Sequence, residues 1–331
     1  MNLLLRAIRL GPIKVLKKLL GFNKEYCIAY RKCSPENNIL NKAKDPFVVL
    51  PNTKDFWYAD PSIVYDKENT YVFMEAFEKK EHIGRIAVSH FEKDGILSTP
   101  QVILKEPFHL SFPTIVRWND KLYMIPETCQ CNSLCIYECL QFPHQWNLYK
   151  PFDVGCKLVD TIVLEKTKEK LTLQTSTWQE PNFLNTKFQI YYLKNQDGTL
   201  TLEADQEFNS KQTFSTKNRN AGSLFSYKNS LVHPVQVSSD VQYGLYIDFW
   251  KYSGVEQIAS EKITAIQPKD IVIEKINPKA VAGIHSYCSD GNYEVIDACC
   301  WRYSPAEPYY KINRKFKMAI TSNRKRKTDS Y

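Results

Sequence analysis

The segment ADPSIVYDKENTYVFMEAF, residues 59–77, decides the fold, because four other segments lie over it without a gap. They are SFPTIVRWNDKLYMIPETC from Ser111, VDTIVLEKTKEKLTLQTST from Val159, NAGSLFSYKNSLVHPVQVS from Asn220 and VAGIHSYCSDGNYEVIDAC from Val281. Each reads as a strand, a short polar turn and a second strand. The second residues are Asp60, Phe112, Asp160, Ala221 and Ala282, spaced by 52, 48, 61 and 61 residues. Fifteen positions further on, every unit carries a polar residue inside an apolar strand: Glu75, Glu127, Thr175, Gln236 and Asp297. An offset that holds in five units is an internal repeat.

Working outward, the first four units are each followed by a third strand: GRIAVSHF, SLCIYECL, FQIYYLKN and YGLYIDFW. A more polar fourth strand fits after them, such as TLTLEADQEF behind Asp197-Gly198. Four antiparallel strands at a period near 50–60 residues predict an all-β chain, a five-bladed β-propeller. The fifth unit lacks outer strands. EYCIAYRK and DPFVVLP near the N-terminus supply them, so residues 25–50 complete the last blade and remove the open edge. The expected divisions are an amphipathic segment 1–24, a propeller 25–310 and a basic tail 311–331.

Composition agrees with a folded chain. Of 331 residues, 43% are hydrophobic and 13% aromatic, enough for a core and against wholesale disorder. No run of 18 apolar residues occurs, which excludes an ordinary spanning helix. The opening MNLLLRAIRLGPIKVLKKLLGF has basic residues throughout and no cleavage site, so no secretory signal is expected. It predicts a short amphipathic helix, lying either on an anionic membrane surface or on its own domain. The tail, with Arg324-Lys325-Arg326-Lys327, is a solvated run or a second membrane contact. Net charge is +8, but no nucleic-acid motif accompanies it. Ten cysteines without paired CxxC knuckles predict reduced, buried thiols rather than a zinc site, in a cytoplasmic setting.

In a propeller the first strand of each blade lines the axis, so residues distant in sequence converge. Asp60, Glu75, Glu127 and Asp160 become candidate catalytic carboxylates. His109, Arg219, His233, Gln236, His285 and Asp297 become candidate substrate contacts. Glu75 in YVFMEAF, Glu127 in LYMIPET and Asp297 in YEVIDACC lie in apolar runs, where a carboxylate is costly unless paired. Carboxyls held together separate in pKa, as glycoside chemistry requires. Arg219 and His109 would hold a phosphate or hydroxyls. No cofactor and no metal is expected.

The strings FWYADPSIVYDKENTYVFMEAFEKKEHIGRIAVS, EPFHLSFPTIVRWNDKLYMIPET and GIHSYCSDGNYEVIDA carry a resemblance over about residues 45 to 300. They resemble the N-terminal propeller domain of plant glucosamine inositolphosphorylceramide transferase and its bacterial relatives in surface-polysaccharide loci. That family is similar, more distantly, to the propellers of glycoside hydrolase families 43 and 32 and of the β-mannoside phosphorylases. The resemblance implies that Asp60, in its Asp-Pro context, is base or nucleophile. It makes Glu127 the acid, with Glu75 second, and Asp160 the third carboxylate. Some such propellers hold a channel calcium, which would fall near Asp297 or His285. His233-Pro234 and Gln236-Val237 depart from the family's usual Arg-Pro and Gln-Asp. The implied functions are glycosyl transfer to or from an activated or lipid-linked sugar in glycoconjugate or polysaccharide biosynthesis; glycan or partner-glycosyltransferase binding without catalysis; and glycoside hydrolysis. The expected location is cytoplasmic, either free or peripheral on the inner face of the membrane.

Overall fold

The computed structural model describes residues 22–179, 181–255 and 261–303. The strands β1 (Phe22–Lys32) and β2 (Val48–Val49) open the described chain. Blade one is β3 (Phe56–Asp66), β4 (Asn69–Glu78), β5 (Ile83–His90) and β6 (Gln101–Leu104). Blade two is β7 (Ser111–Trp118), β8 (Lys121–Glu127), β9 (Ser133–Gln141) and β10 (Gln145–Asp153). Blade three is β11 (Leu158–Lys166), β12 (Lys170–Gln179), β13 (Asn182–Gln196) and β14 (Thr199–Ala204). In blade four the first strand is broken into β15 (Arg219–Asn220) and β16 (Phe225–Tyr227), followed by β17 (Ser230–Val237), β18 (Tyr246–Tyr252) and β19 (Glu261–Ile266). Blade five is β20 (Val281–Ser289) and β21 (Tyr293–Tyr303), with β1 and β2 as its outer strands.

This is the all-β, five-bladed propeller that the repeat predicts, closed by its N-terminal strands. Pairing of β1 with β21 is antiparallel and continuous, from Phe22 opposite Tyr303 to Lys32 opposite Tyr293. β1 starts at Phe22, inside the expected segment 1–24. The amphipathic helix expected there and the basic tail 311–331 otherwise lie outside the described residues. One strand is shorter than expected. TLTLEADQEF leaves the sheet at Asp205, whose side chain accepts from the Phe208 N–H at 2.9 Å and caps the short helix α1 (Gln206–Lys211). No helix among the described residues is long and apolar enough to cross a membrane.

Apolar side chains gather between blades, because a four-stranded sheet has two faces and each needs a neighbour. Met74, Val72 and Ala76 of blade one meet Ile28 and Val295 of blade five. Phe73 and Ile86, pointing the other way, meet Met124 and Tyr137 of blade two. Further cores fill the seams between blades two and three and between four and five. At the seam of blades three and four the buried apolar cluster among the described residues holds only Phe112, Ile162, Leu164 and Ile190.

The first strands do not run smoothly past the axis. Pairing slips between Ala59 and Ser62, between Ser111 and Thr114, and between Val159 and Ile162. The residues inside these bulges, Asp60, Phe112 and Asp160, have φ of 51°, 44° and 51°. These left-handed kinks aim Asp60 and Asp160 at the axis and send Phe112 into the apolar cluster with Ile162 and Leu164 of blade three.

Candidate functional site

Seven of the ten sequence-nominated side chains line one cavity of about 210 Å³ at the axis: Asp60, Glu75, Glu127, Asp160, His109, Arg219 and His285. Hairpin register explains why two columns meet. Ala59 pairs with Glu75 and Ser111 with Glu127, so a second-strand carboxylate sits beside the bulge of its own blade. All four carboxylates are buried.

Three polar groupings divide the cavity. In the first, His285 stands between two carboxylates, with Nε2 3.0 Å from Asp60 Oδ1 and Nδ1 2.7 Å from Asp297 Oδ1. Ser286 Oγ–H also donates to Asp60 Oδ1 at 3.0 Å, and the Phe112 N–H donates to Oδ2 at 3.3 Å. Burial alone would neutralise this histidine, but Asp297 and Asp60 outweigh it and hold its pKa well above the usual value. Burial likewise pushes the Asp60 carboxyl up, but His285 and Ser286 outweigh it and leave the pKa below normal. Asp60 is therefore ionised and firmly held.

In the second grouping, Arg219 Nε donates to Asp160 Oδ2 and Nη2 reaches Glu127 Oε2 at 3.4 Å. Cys129 Sγ–H donates to the other Glu127 oxygen at 3.1 Å. Burial and then the nearby Asp160 push the Glu127 carboxyl up to about 8, with Arg219 opposing them. In the third, His109 Nδ1 accepts from the Gly84 N–H at 2.8 Å, which puts the proton of the neutral ring on Nε2. That nitrogen faces Glu75 Oε1 at 3.3 Å. Burial pushes His109 down to about 4 and Glu75 well up, so this is a neutral pair and not an ion pair.

The remaining nominees lie elsewhere. Asp297 is completely buried behind His285. His233 is buried, with Nε2 2.8 Å from Asn220 Oδ1 and its ring 6.1 Å from Phe188 of blade three. Gln236 is also buried and donates to Ser238 Oγ at 3.0 Å. Neither His233 nor Gln236 lines the cavity, so neither is a substrate contact there. Arg219 and His109, expected to hold a phosphate or hydroxyls, both line the cavity. Arg219 is already matched by two carboxylates and His109 is neutral. The cysteine cluster differs from expectation in burial: Cys135 is buried, but Cys129, Cys131 and Cys139 are partly exposed.

Sequence reasoning missed the aromatic wall. Tyr26, Trp57, Phe77 and Tyr243 all line the cavity. Trp57 stacks on Phe77 at 4.3 Å, and the Arg219 guanidinium lies 4.9 Å from the Tyr243 ring centre. Trp57 stands three residues before Asp60 and was within reach of the repeat. Tyr243 opens the string YGLYIDFW, read as a strand, but the strand starts only at Tyr246 and Tyr243 lies on the loop before it.

Asp60, His285 and Asp297 each offer an atom within 4.8 Å of the others, the place where a channel calcium would fall. Calcium takes six to eight oxygen ligands. Here the central group is an imidazole whose two nitrogens already face carboxylates. The set does not fit calcium, and a proton on His285 does the bridging.

Residues 47–283 match the family described as glucosamine inositolphosphorylceramide transferase 1, N-terminal. The chain belongs to this family. Glucosamine inositolphosphorylceramide transferase 1 of Oryza sativa subsp. japonica is 24% identical over 218 residues, covering 66% of this chain and 28% of that protein. The Arabidopsis thaliana protein of the same name is 25% identical over 211 residues, covering 63% and 27%. The chain thus spans about a quarter of the length of these relatives. Among solved structures, the catalytic domain of the Coprinopsis cinerea GH62 α-L-arabinofuranosidase superposes with a TM-score of 0.50. It is 11% identical and covers 84% of this chain and 98% of that one. A GH43 β-xylosidase/α-arabinofuranosidase from a compost metagenome also gives 0.50, at 12% identity, covering 76% and 92%. These two likenesses bear on the fold alone, that of a five-bladed propeller.

Proposed function

We propose that the axial cavity holds one sugar unit and catalyses glycosyl transfer within glycoconjugate biosynthesis. The observation that carries this reading is the convergence of carboxyls from three blades on one aromatic-walled cavity. Its volume, below the roughly 300–1,000 Å³ of drug-sized pockets, suits a single ring. Aromatic faces and dense hydrogen-bonding groups suit a polyol. Arg219 and His285 are already countered by Asp160 and Asp60, and Glu75 and Glu127 are protonated, which suits a neutral or amino sugar better than a phosphate, in keeping with the glucosamine in the relatives' name.

Glu127, with its pKa near 8, carries a proton at neutral pH and donates it to the departing oxygen. Asp60, ionised across the cavity, faces the positive charge that develops on the sugar, or takes the proton of the acceptor hydroxyl. Asp160 and Arg219 set the pKa of Glu127. An activated or lipid-linked donor, and a cytoplasmic site on the inner membrane face, belong to the same proposal. They draw support from the basic residues of 1–24 and 311–331.

The test is transfer of labelled sugar from a panel of nucleotide sugars to inositolphosphoryl lipids by the purified chain, its Asp60→Asn form and its Glu127→Gln form. Loss of transfer of a hundredfold or more in both variants, with folding intact, supports the reading. Unchanged transfer overturns it. A second reading, sugar binding without catalysis, has its own support: the Asp60 oxygens already accept from Ser286, His285 and the Phe112 N–H. It predicts sugar binding with no transfer in any form. Release of aryl groups from aryl glycosides would favour a hydrolase instead.

A further inference from the structure

We propose that the rim of blades three and four is a second ring-binding subsite, for a sugar linked to the one in the axial cavity. This rests on the cavity being a sugar site. The strip starts at Tyr243, which already lines the cavity. The Phe183 ring lies 6.5 Å from Tyr243, and Trp178 lies 6.3 Å beyond Phe183. Lys157 Nζ stands 4.6 Å from the Trp178 ring centre and closes the outer end.

The fold places all of these on the cavity's side of the molecule. Trp178 comes at the end of β12, Phe183 at the start of β13, and Lys157 just before β11. Those strand ends border the same mouth as Asp160 and Arg219. None of the three aromatics belongs to a core between blades. Phe183 is 47% exposed, and Val241 on the loop that carries Tyr243 is 49% exposed. Scattered exposed apolar residues are ordinary, but a contiguous strip opening from a cavity marks a binding groove.

The occupant follows from size and chemistry. The cavity takes one ring, so a longer glycan must leave it over some part of the rim. Trp57 and Phe77 are stacked on each other on the opposite wall. Phe183 and Trp178 meet at 75° and are not stacked, and Phe183 remains 47% exposed to a ligand. An apolar sugar face stacks there while Lys157, at the margin, donates to hydroxyls.

The test is calorimetric titration, with tryptophan fluorescence, of the full chain. The probes are methyl β-glycosides of glucosamine, glucose and xylose, the matching β-1,4-linked disaccharides, and the octyl β-glycosides. The subsite predicts that one disaccharide binds on the order of tenfold tighter than its methyl glycoside and alters Trp178 emission. Phe183→Ala and Trp178→Ala erase that gain and leave the methyl glycoside unchanged. Glu127→Gln weakens both probes alike. A disaccharide gain that survives both rim substitutions overturns the subsite while leaving the cavity reading intact. An equal gain from an octyl chain overturns it in favour of a lipid contact. Absence of binding by every probe overturns the subsite and the cavity reading together.

Discussion

Glu127 is the residue whose chemistry is most open to measurement. Burial and Asp160 raise its pKa to about 8. The proton-donor form is thus present below pH 8 and lost above it. Transfer should fall tenfold per pH unit above about 8, and the Glu127→Gln variant should lack that limb. Stability carries the same signature. The folded protein binds more protons at Glu127 than the unfolded chain between the ordinary glutamate value 4.5 and about 8. That contribution is complete below 4.5 and gone above 8. Denaturant midpoints should show Glu127→Gln gaining on the parent protein as pH rises from 5 to 8. At this scale the sequence was informative about carboxylates, since Asp60, Glu75, Glu127 and Asp160 all reached the cavity and Asp297 lies directly behind His285. It was uninformative about His233, whose burial depends on a partner, Asn220, that no spacing reveals.

Elements explain what the residues alone do not. The fifteen-residue offset is the register of a hairpin whose first strand carries a bulge. Asp60, Phe112 and Asp160 accept left-handed φ there, at a cost of about 1–3 kcal/mol each. The repeat was legible because register is set by turn length and apolar alternation, both of them local. The bulges were not, since nothing in Asp-Pro or Phe-Pro demands one. Tyr243 was missed for a similar reason: YGLYIDFW reads as a strand from its first residue, and nothing in it shows that Tyr243 stays on the loop before Tyr246. Gly84 at the start of β5 offers a direct test of packing at this level. A Cβ there would meet the Leu110 carbonyl oxygen at 2.2 Å, Glu75 Oε1 at 2.7 Å and His109 Cε1 at 2.7 Å. Gly84→Ala should destabilise by about 1–3 kcal/mol or more, read as a lower thermal midpoint. It should also detach His109 from the Gly84 N–H, seen as a rise of the His109 pKa from about 4 in an NMR titration.

The whole molecule is a closed ring of blades with unequal seams. Blade five is clasped by Arg31, whose Nε donates to Glu294 Oε1 at 2.6 Å. Glu294 Oε2 accepts from Tyr287 Oη–H at 3.0 Å and from the Ile39 N–H at 3.0 Å. Both charged groups are buried, so removing one strands the other. Glu294→Gln should cost about 3–5 kcal/mol in denaturant unfolding. A change under 1 kcal/mol would show that the clasp is dispensable. The seam of blades three and four has the sparsest apolar cluster among the described residues. Amides of β11, β15 and β16 should therefore exchange with deuterium before those of β1 and β21. The reverse order would locate the weak seam elsewhere. Ring closure was readable from the sequence as a deficit of strands in the last unit, but the seam strengths needed side-chain geometry.

Closure also fixes the timetable of biosynthesis. Cys27 and its hydrogen-bond partner Ala298 are 271 residues apart. On a ribosome adding about 5–20 residues per second, β1 emerges roughly 15–50 s before the strand that will cover it. During that interval a nascent Phe22–Lys32 segment presents a backbone edge that β21 alone will pair along its full length.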